Sequence, residues 1–294
     1  MADVALHLGA HKTATTWLQR RLALGNDLLA EQNINYVTMG TLRRRFSSPF
    51  DAWLAGRKLR GAVPTTEQLE TVLGEYKQSP SGKVILSDEN LMGDCNRIVR
   101  SGRVYLHCDR RLKALRDLLG ERPSAVAFTI RSYPGFLASC YVESLRHGEF
   151  TRFDDFRHRI LEDDELWLRP IRRIVESFGE DCVRVFRLER IGSDLPRMID
   201  LLTGGRIDEA SLPEVQERRE GMSGVAVETL HIIDEVSGSR KASRAVELVE
   251  ERFPRGDEFA GFRPWSESEQ KYLEEKYQSH VEAIRAKWPG VLIE

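Results

Sequence analysis

The sequence has few cysteines, no long apolar run and no excess of one charge. Each of these absences excludes a class of protein. The four cysteines, Cys95, Cys108, Cys140 and Cys182, are scattered and contain no C-x-x-C pair. We therefore predict reduced, buried thiols, and neither a disulfide framework nor a zinc site. The net charge is −2, whereas non-specific nucleic-acid binding normally requires a basic domain.

No apolar stretch approaches the length of a membrane span. The N-terminal residues MADVALHLG lack the basic flank of a signal peptide. We therefore expect a cytoplasmic protein with no membrane span and no nucleic-acid partner. Hydrophobic content of 41% and charged content of 31% are ordinary for a globular protein. The chain has no repeat and no low-complexity linker, so we expect residues 1–294 to form a single domain.

Short apolar runs alternate with amphipathic helical stretches along the chain. The predicted strands are Val4–Leu8, Ile34–Val37, Lys83–Ser87, Ser124–Ile130 and Cys182–Leu188. Continuous apolar strands separated by helices are typical of a parallel sheet that is covered on both faces. The pattern predicts an α/β fold of three layers, in which helices flank a central, mostly parallel sheet.

The connection between the first strand and the first helix has the composition of an anion-binding loop. Gly9 ends the strand, and a helical pattern begins at about Thr15. This geometry aims backbone N–H groups and a helix N-terminus at a bound anion. Lys12 adds a point charge, and Thr13, Thr15 and Thr16 add hydroxyl donors. The loop therefore predicts a phosphate-binding site, although an ordinary turn capped by a threonine would have a similar composition.

The loop differs from the usual nucleotide triphosphate motif, G-x-x-x-x-G-K-[ST], because no second glycine precedes Lys12. It resembles the loop of PAPS-dependent sulfotransferases, which reads roughly K-x-G-T-T-W and holds the 5′-phosphosulfate of PAPS. Residues 12–17, KTATTW, match it at five of six positions, and bacterial members with a G-x-H-K-T-x-T-T opening are closer still. Ala14 stands where glycine is common, so it would strain the loop if that position requires a positive φ.

The resemblance implies a P-loop-like fold, PAPS as the co-substrate and no metal ion. It implies a catalytic role for Lys12 and stacking of Trp17 on the adenine. Trp17 could instead be an aromatic core residue of the first helical turn. The implied cofactor-binding residues of this loop are His11, Lys12, Thr13, Ala14, Thr15, Thr16 and Trp17.

Carboxylates follow the strand Lys83–Ser87 directly, in the order Asp88, Glu89, Asn90. Ligands of open parallel sheets bind outside the carboxyl ends of the strands. The S-x-E-N-L pattern resembles bacterial sulfotransferases, in which this strand carries the catalytic base, and the resemblance implies that role for Glu89. Asp88 and His11 remain alternative bases. Asp88 could instead cap the following turn, and Glu89 could be a surface ion-pair partner.

A second phosphate site is implied by Arg131, at the end of the strand Ser124–Ile130, and Ser139, eight residues further along the predicted helix. This spacing resembles the sulfotransferase motif for the 3′-phosphate. A guanidinium can grip a phosphate with two bonds while a hydroxyl donates from the adjoining helix. The family also has a basic, glycine-containing loop over this phosphate, which makes Arg255 in the segment PRGD a candidate for the same contact.

Three polar segments have less specific patterns. The basic segment Thr38–Thr66 predicts a solvated helix or loop, or alternatively a lid or acceptor-binding wall. The acidic run Glu162–Glu165 predicts the solvated start of a helix, because consecutive carboxylates point in different directions and make a poor metal site. We expect Asp208–Met222 to wrap the surface and to help build an acceptor pocket.

The resemblance implies transfer of a sulfuryl group from PAPS to the hydroxyl or amine of an acceptor, which the range of the family suggests is a saccharide or another small molecule. Two other functions compete with it. One is a P-loop kinase acting on a small molecule, for which Asp88 could help to bind a metal ion. The other is a nucleotide-binding protein without catalytic activity, of which Ala14 would be the sign.

Overall fold

The sheet has five strands, all parallel, in the order β2-β3-β1-β4-β5. The computed structural model describes residues 2–78, 82–216 and 221–294. The strands are β1 (Asp3–His7), β2 (Ile34–Val37), β3 (Lys83–Ser87), β4 (Ala125–Ile130) and β5 (Val183–Arg187). The register pairs Leu6 with Leu86 and Phe128 with Val185. The predicted α/β class, the five strands and the flanking helices are confirmed.

Helices connect the strands and cover the sheet, and the longer ones follow the predicted helical stretches. The α-helices are α1 (Thr15–Leu24), α2 (Asn26–Glu31), α3 (Met39–Leu42), α4 (Ser48–Leu54), α5 (Thr66–Gln78), α6 (Cys95–Ser101), α7 (Cys108–Leu119), α8 (Tyr133–Arg146), α9 (Phe153–Leu161), α10 (Leu168–Phe178), α11 (Ile191–Thr203), α12 (Gly224–Ser237), α13 (Ser239–Arg252) and α14 (Glu267–Lys287). A π-helical turn occupies Arg43–Ser47, and 3₁₀ turns occupy Glu89–Leu91, Leu188–Arg190 and Glu209–Ser211.

Side chains alternate between the two faces of the sheet, as the pleat requires. Leu6 and Leu86 belong to the larger core, which includes residues of α5, α7, α8, α10 and α14. Ala5 and Ile85 belong to a smaller core on the other face, with α1 and α11. Because both faces are covered, the sheet itself can offer polar groups to a ligand at the ends of its strands.

The segment from Thr38 to Thr66 is more ordered than the sequence suggested. It forms α3, the π-helical turn and α4, and it buries Leu42, Phe46 and Phe50 completely. These residues are spaced four apart and form one apolar stripe, which is the ordinary signature of a core-facing helix. The prediction of a solvated segment was therefore wrong for this face of it.

The acidic run also differs from its prediction. Asp163 is fully buried, and Arg169 donates to its two carboxylate oxygens over 2.9 and 2.6 Å. It joins α9 to α10 as an internal ion pair, so the prediction that the run is solvated was wrong at this residue. In the described part of the chain, no group of three or more His, Cys, Asp or Glu side chains could hold a metal ion.

Three further expectations concern the cysteines, a membrane span and the wrap of Asp208–Met222. All four cysteines are buried free thiols, as predicted. Within residues 2–78, 82–216 and 221–294, no helix is both long and apolar enough to cross a membrane. The expected wrap of Asp208–Met222 is described as far as residue 216, where it runs along α1, and residues 217–220 lie outside the described part.

Candidate functional site

The candidate site lies at the carboxyl edge of the sheet, where the chain changes direction. From β1 the chain passes to β2 on one side, and it later returns to place β4 on the other side of β1. Such a switch point leaves a crevice between the diverging connections, which is where ligands of open α/β sheets bind. This location follows from topology alone. Three segments meet there: the cradle loop (Gly9–Ala14) after β1, the β3 tip (Asp88–Asn90), and Arg131 after β4.

The cradle loop has an unusual backbone. Gly9, Lys12 and Ala14 have φ values of 39°, 64° and 63°. For an L-residue the left-handed region costs about 1–2 kcal/mol, so the surroundings of Lys12 and Ala14 must hold them there. Part of that support comes from Thr13 and Thr15, whose hydroxyls both donate to the carbonyl of Ala10, over 2.6 and 3.1 Å.

The conditional expectation for Ala14 is fulfilled: its position has a positive φ, and alanine is strained there. Gly9 tolerates a side chain less well than position 14 does. A Cβ atom at this position would lie 2.8 Å from Oγ1 of Thr15 and 3.2 Å from Cε1 of His7. The glycine is therefore required both by its φ and by the close approach of α1.

The backbone N–H groups of the cradle loop are open to a ligand. Within the described residues, those of Lys12, Thr13 and Ala14 donate to no protein acceptor. The first turn of α1 adds the N–H groups of Thr15 and Thr16, which helix geometry leaves unpaired. Successive N–H groups in left- and right-handed conformations form a concave anion-binding nest, and a helix N-terminus reinforces it.

The side chain of Lys12 is already paired. Its Nζ lies 3.1 Å from Oε2 of Glu143 on α8, and 20% of the Lys12 side chain is exposed. Glu143 also accepts from Arg146 over 3.2 Å. The ammonium thus reaches from the cradle loop towards α8, where a bound anion would compete with Glu143 for it.

Two residues of the first helical turn point in different directions. Thr16 is exposed, while Trp17 is half-buried against the smaller core. The indole N–H of Trp17 donates to the carbonyl of Val215 over 3.0 Å, and the guanidinium carbon of Arg21 lies 5.3 Å from its ring centroid. These contacts favour the packing role of Trp17 over adenine stacking, which stays a prediction.

His11 is tied into the wall of the site. Its backbone N–H donates to the hydroxyl of Tyr105 over 2.9 Å, and its Nδ1 lies 2.9 Å from the same oxygen. Its Nε2 lies 3.1 Å from Oδ1 of Asn90. An amide oxygen can only accept, so Nε2 carries a proton. Both ring nitrogens are therefore engaged, which weakens the case for His11 as a base.

Another histidine beneath the site is also unsuited to this role. Burial lowers the pKa of His7 to about 4, although the charge of Glu89 raises it. Its Nδ1 is 2.8 Å from the hydroxyl of Ser87. His7 is consequently neutral at physiological pH and serves the packing of β1 against β3.

Asp88 is fully buried at the β3 tip. Its Oδ1 accepts two hydrogen bonds from Arg43, both over 3.1 Å, and one from the N–H of Asn90. Its Oδ2 has no hydrogen-bond partner among the described residues. Burial raises the pKa of Asp88 above its ordinary value and outweighs the attraction of Arg43. Because it is inaccessible, Asp88 cannot reach an acceptor, and it caps the 3₁₀ turn that follows.

The side chain of Glu89 is 12% exposed, unlike that of Asp88, and it is held from both sides. Arg43 donates to its Oε1 over 2.9 Å, and Gln19 donates to its Oε2 over 3.3 Å. Burial would raise its pKa, but His11 and Arg43 outweigh that effect and hold the pKa below its ordinary value. The carboxylate is therefore ionised at neutral pH. Each oxygen has capacity for a further hydrogen bond.

Arg131 connects the two predicted phosphate sites. Its NH1 donates to the hydroxyl of Ser139 over 3.2 Å and to the carbonyl of Lys12 in the cradle loop over 3.1 Å. Burial lowers the pKa of its guanidinium, which still remains charged at neutral pH. Gly135 permits this packing, since a Cβ there would lie 2.8 Å from NH2 of Arg131. The predicted pairing of Arg131 with Ser139 is thus present.

The contacts of Arg255 are with residues other than Arg131 and Ser139. Its side chain packs beside Gly221 and Gly261, and a Cβ at Gly261 would lie 2.8 Å from Nε of Arg255. The residue is exposed. Among the described residues it makes no hydrogen bond to Arg131 or Ser139, so its contribution to a phosphate site stays a prediction.

No family model, curated protein or solved structure matches this chain. The resemblance of residues 12–17 to the sulfotransferase loop is therefore not supported by a relative. A function can therefore be proposed only from the geometry at the carboxyl edge of the sheet.

Several residues of the site were not predicted from the sequence. Arg43 binds both carboxylates of the β3 tip, and Glu143 holds Lys12. Arg111 donates to the carbonyls of Asn90 and Leu91 over 2.8 and 3.0 Å. The apolar stripe of α3 and α4 could have indicated the helix that carries Arg43. Nothing in the sequence singles out Glu143 or Arg111, because their partners are distant along the chain.

Proposed function

We propose that the protein transfers the sulfuryl group of PAPS to the hydroxyl or amine of an acceptor. The observation that carries the proposal is the hydrogen bond of Arg131 to the cradle loop. It joins an anion nest after β1 to an arginine–serine pair after β4, so two anionic groups of one ligand can bind side by side. A nucleotide with phosphates at both its 5′ and 3′ positions has this requirement.

The 5′-phosphosulfate is assigned to the cradle loop. The open N–H groups of Lys12, Thr13 and Ala14 would bind its oxygens. Lys12 would exchange Glu143 for the phosphosulfate, and its ammonium would stabilise charge on the leaving oxygen. Thr16, exposed in the first turn of α1, is available as a further donor.

The 3′-phosphate is assigned to Arg131 and Ser139. Arg131 has one nitrogen on the loop carbonyl and on Ser139, so its other guanidinium nitrogens can donate to a phosphate. Burying the guanidinium without an anionic partner is unfavourable, and a doubly charged phosphate bound there would offset that cost.

Glu89 is the proposed base. The acceptor hydroxyl gives its proton to the carboxylate as its oxygen forms a bond to sulfur. The bond between sulfur and the bridging oxygen of the 5′-phosphate breaks, and PAP leaves with the electron pair. A carboxylate with a lowered pKa is ionised and ready at neutral pH, although the same shift makes it a weaker base.

A P-loop kinase is the competing enzyme class. Its acidic metal ligand would have to be Asp88, but that carboxylate is fully buried and held by Arg43. The hydroxyl of Thr13, the threonine after Lys12, donates to the carbonyl of Ala10. Both groups would have to leave their present partners to serve a metal ion, so the arrangement favours sulfuryl transfer. A non-catalytic nucleotide-binding protein would use the same phosphate sites without Glu89.

Thermal unfolding with PAP, AMP and ATP, each with and without Mg²⁺, tests the proposal. A ligand present at 100 times its dissociation constant adds about 2.7 kcal/mol of stability, so we expect PAP to raise the melting temperature by several degrees without metal. Arg131→Ala should abolish the preference for PAP over AMP, and Arg116→Ala on the exposed side of α7 should keep it. A Mg²⁺-dependent preference for ATP would instead support the kinase.

A further inference from the structure

A cavity of about 460 Å³ lies beside the β3 tip and outside every residue assigned above to PAPS. Both ends of α6 and the turn that precedes α7 form its walls. Four arginines and one carboxylate provide its charged surface: Arg97, Arg100, Arg103, Arg111 and Asp94. Met92, Ile98 and Leu106 provide apolar surface. A cavity of this size is typical of sites for small organic ligands.

Each of the four lining arginines has a carboxylate partner, and some of these carboxylates are shared. Arg97 pairs with Asp94 over 3.2 Å, and Arg100 pairs with Glu149 over 3.0 Å. Asp51 alone is shared by Arg57, Arg97 and Arg111. Asp51 cannot neutralise all three guanidinium groups, and among the residues that line the cavity Asp94 is the one carboxylate beside four arginines, so the lining carries an excess of positive side chains. The whole chain has a net charge of −2, so the excess is a local feature.

A second shared carboxylate adds to this excess. Asp163 is already held by the two terminal nitrogens of the Arg169 guanidinium, and Arg103 approaches it only to 3.5 Å. About half of the Arg103 side chain is exposed, as is 41% of Arg97. Both guanidinium groups are therefore accessible to a ligand in the cavity.

The cavity is connected to the candidate site by two of its lining residues. Tyr105 lines the cavity, and its hydroxyl contacts the backbone and ring nitrogens of His11 in the cradle loop. Arg111 lines the cavity and donates to the carbonyl of Asn90, next to Glu89. Tyr105 has a φ of 48°, a strained value for a non-glycine residue. The wall of the cavity thus continues into the wall of the crevice.

We propose that this cavity binds the sulfuryl acceptor and that the acceptor is an organic acid. Its carboxylate, or a sulfate that it already carries, would bind Arg97 and Arg103, and its apolar body would pack on Met92, Ile98 and Leu106. Its nucleophilic group would point along Tyr105 towards Glu89. The inference rests on the proposed function, because only that function requires an acceptor beside the β3 tip.

Binding of matched acids and neutral compounds tests the inference. The probes are 4-hydroxyphenylacetate against 2-(4-hydroxyphenyl)ethanol, and phenyl sulfate against phenol, titrated calorimetrically into the full chain saturated with PAP. We expect each acid to bind at least about tenfold more tightly than its neutral partner, since 1.4 kcal/mol corresponds to that factor. The two pairs distinguish a site for carboxylates from a site for sulfates.

Variants locate the binding. Arg97→Gln combined with Arg103→Gln should remove the preference for the acid and leave the neutral partner unchanged. Arg116→Gln, which alters an exposed arginine of α7 paired with Asp117, should bind the acids as the unaltered chain does. The inference is wrong if neither acid binds better than its neutral partner, or if the double variant keeps the preference.

The same samples separate this inference from the proposed function. If PAP raises the melting temperature but no acid is preferred, the acceptor inference fails and the proposed function stands. If PAP gives no shift, and the acids titrated without PAP bind through Arg97 and Arg103, the cavity is an anion site, and both the sulfotransferase proposal and the acceptor inference fail. The shift produced by PAP in the double variant also shows that the variant is folded.

Discussion

The cradle loop and the β3 tip lie side by side at the edge of the sheet, but they are built in opposite ways. The cradle loop offers backbone N–H groups that have no protein partner, held in a strained conformation. The β3 tip offers carboxylates that already have partners, because Arg43 binds both Asp88 and Glu89. One region is incomplete without a ligand, and the other is largely satisfied without one.

The difference indicates what each region can contribute. A preformed nest with open donors gains stability when an anion arrives, because its N–H groups then acquire charged partners. A carboxylate held by an arginine and a glutamine loses little mobility when a substrate binds, and it can act on that substrate without rearrangement. The comparison therefore assigns binding to the cradle loop and chemistry to the β3 tip, which four variants can test.

Glu89→Gln is expected to have the largest effect, and to affect chemistry only. Glutamine keeps the shape of the side chain and can still accept from Arg43, but it cannot take a proton from the acceptor. Turnover should fall by at least about 100-fold, the lower end for loss of a general base. Affinity for PAP should stay within about twofold by the same reasoning, since the base contacts the acceptor. Transfer of labelled sulfate from PAPS and calorimetry with PAP measure the two effects.

The assignment of binding to the cradle loop and chemistry to the β3 tip is contradicted by either of two results. Glu89→Gln could retain near-normal turnover, or it could weaken PAP binding as strongly as it reduces turnover. The first outcome removes Glu89 as the base and leaves His11 as the remaining candidate, which would first have to release Tyr105 or Asn90. The second places the cofactor against the β3 tip and thus removes the division between the two regions.

Arg43→Gln should destabilise the fold without touching the cradle loop. It leaves the buried carboxylate of Asp88 without its cation, and removing one partner of a buried pair costs several kcal/mol. Since 32% of the Arg43 side chain is exposed, water replaces part of the interaction, and we expect a loss of about 2 kcal/mol from the free energy of unfolding. Urea unfolding at neutral pH measures it.

The pH dependence of Arg43→Gln identifies Asp88 as the cause. Burial already raises the pKa of Asp88, and loss of Arg43 raises it further. An acid whose folded-state pKa exceeds its unfolded value destabilises the fold above the folded pKa, and the penalty disappears as the pH falls below the unfolded one. The deficit should therefore shrink on acidification. Adding Asp88→Asn should reduce this pH dependence to the part that comes from Glu89, whose pKa Arg43 also lowers. A deficit that is constant with pH would contradict the assignment.

Much of the sheet and the cradle loop could be predicted, because their signals are local. The strand Lys83–Ser87 is a continuous apolar run, and its predicted bounds are those of β3. Gly9 and the helical pattern from Thr15 mark the turn after β1 within a few residues. The spacing of Arg131 and Ser139 also lies within one strand-to-helix turn, and the two side chains are in contact.

The partners of these residues could not be predicted in the same way. Glu143 is 131 residues from Lys12, and Arg43 is 45 residues from Asp88. Such contacts depend on how helices pack over the sheet, which local propensity does not determine. From the sequence, we could say only that alanine would be strained at position 14 if this position has a positive φ. Its φ could not be predicted, because it depends on the closure of the whole loop.

Glu143→Gln should increase affinity for PAP. Glu143 holds Lys12 in the free protein, and a partly exposed ion pair of this kind contributes up to about 1 kcal/mol. Without the competing carboxylate, Lys12 is free to turn to the ligand, and we expect two- to fivefold tighter binding, since 1.4 kcal/mol is tenfold. Glu250→Gln is the matched control, because Glu250 also binds Arg146 but makes no contact with Lys12. Equal affinities of the two variants would show that Glu143 does not compete with the cofactor.

Ala14→Gly should have the smallest effect, and it tests whether the strain of the cradle loop is real. At a φ of 63° glycine avoids the steric penalty of about 1–2 kcal/mol, but it loses about 0.5–1 kcal/mol more conformational entropy on folding. The expected net gain is about 0.5 kcal/mol in the free energy of unfolding. Ala283→Gly, at an exposed position inside α14, is the matched control and should instead lose about 1 kcal/mol. If both variants lost stability alike, the left-handed conformation at Ala14 would be wrong. If PAP bound Ala14→Gly no more weakly than the unaltered chain, the open nest, and not the alanine, would account for binding in the cradle loop.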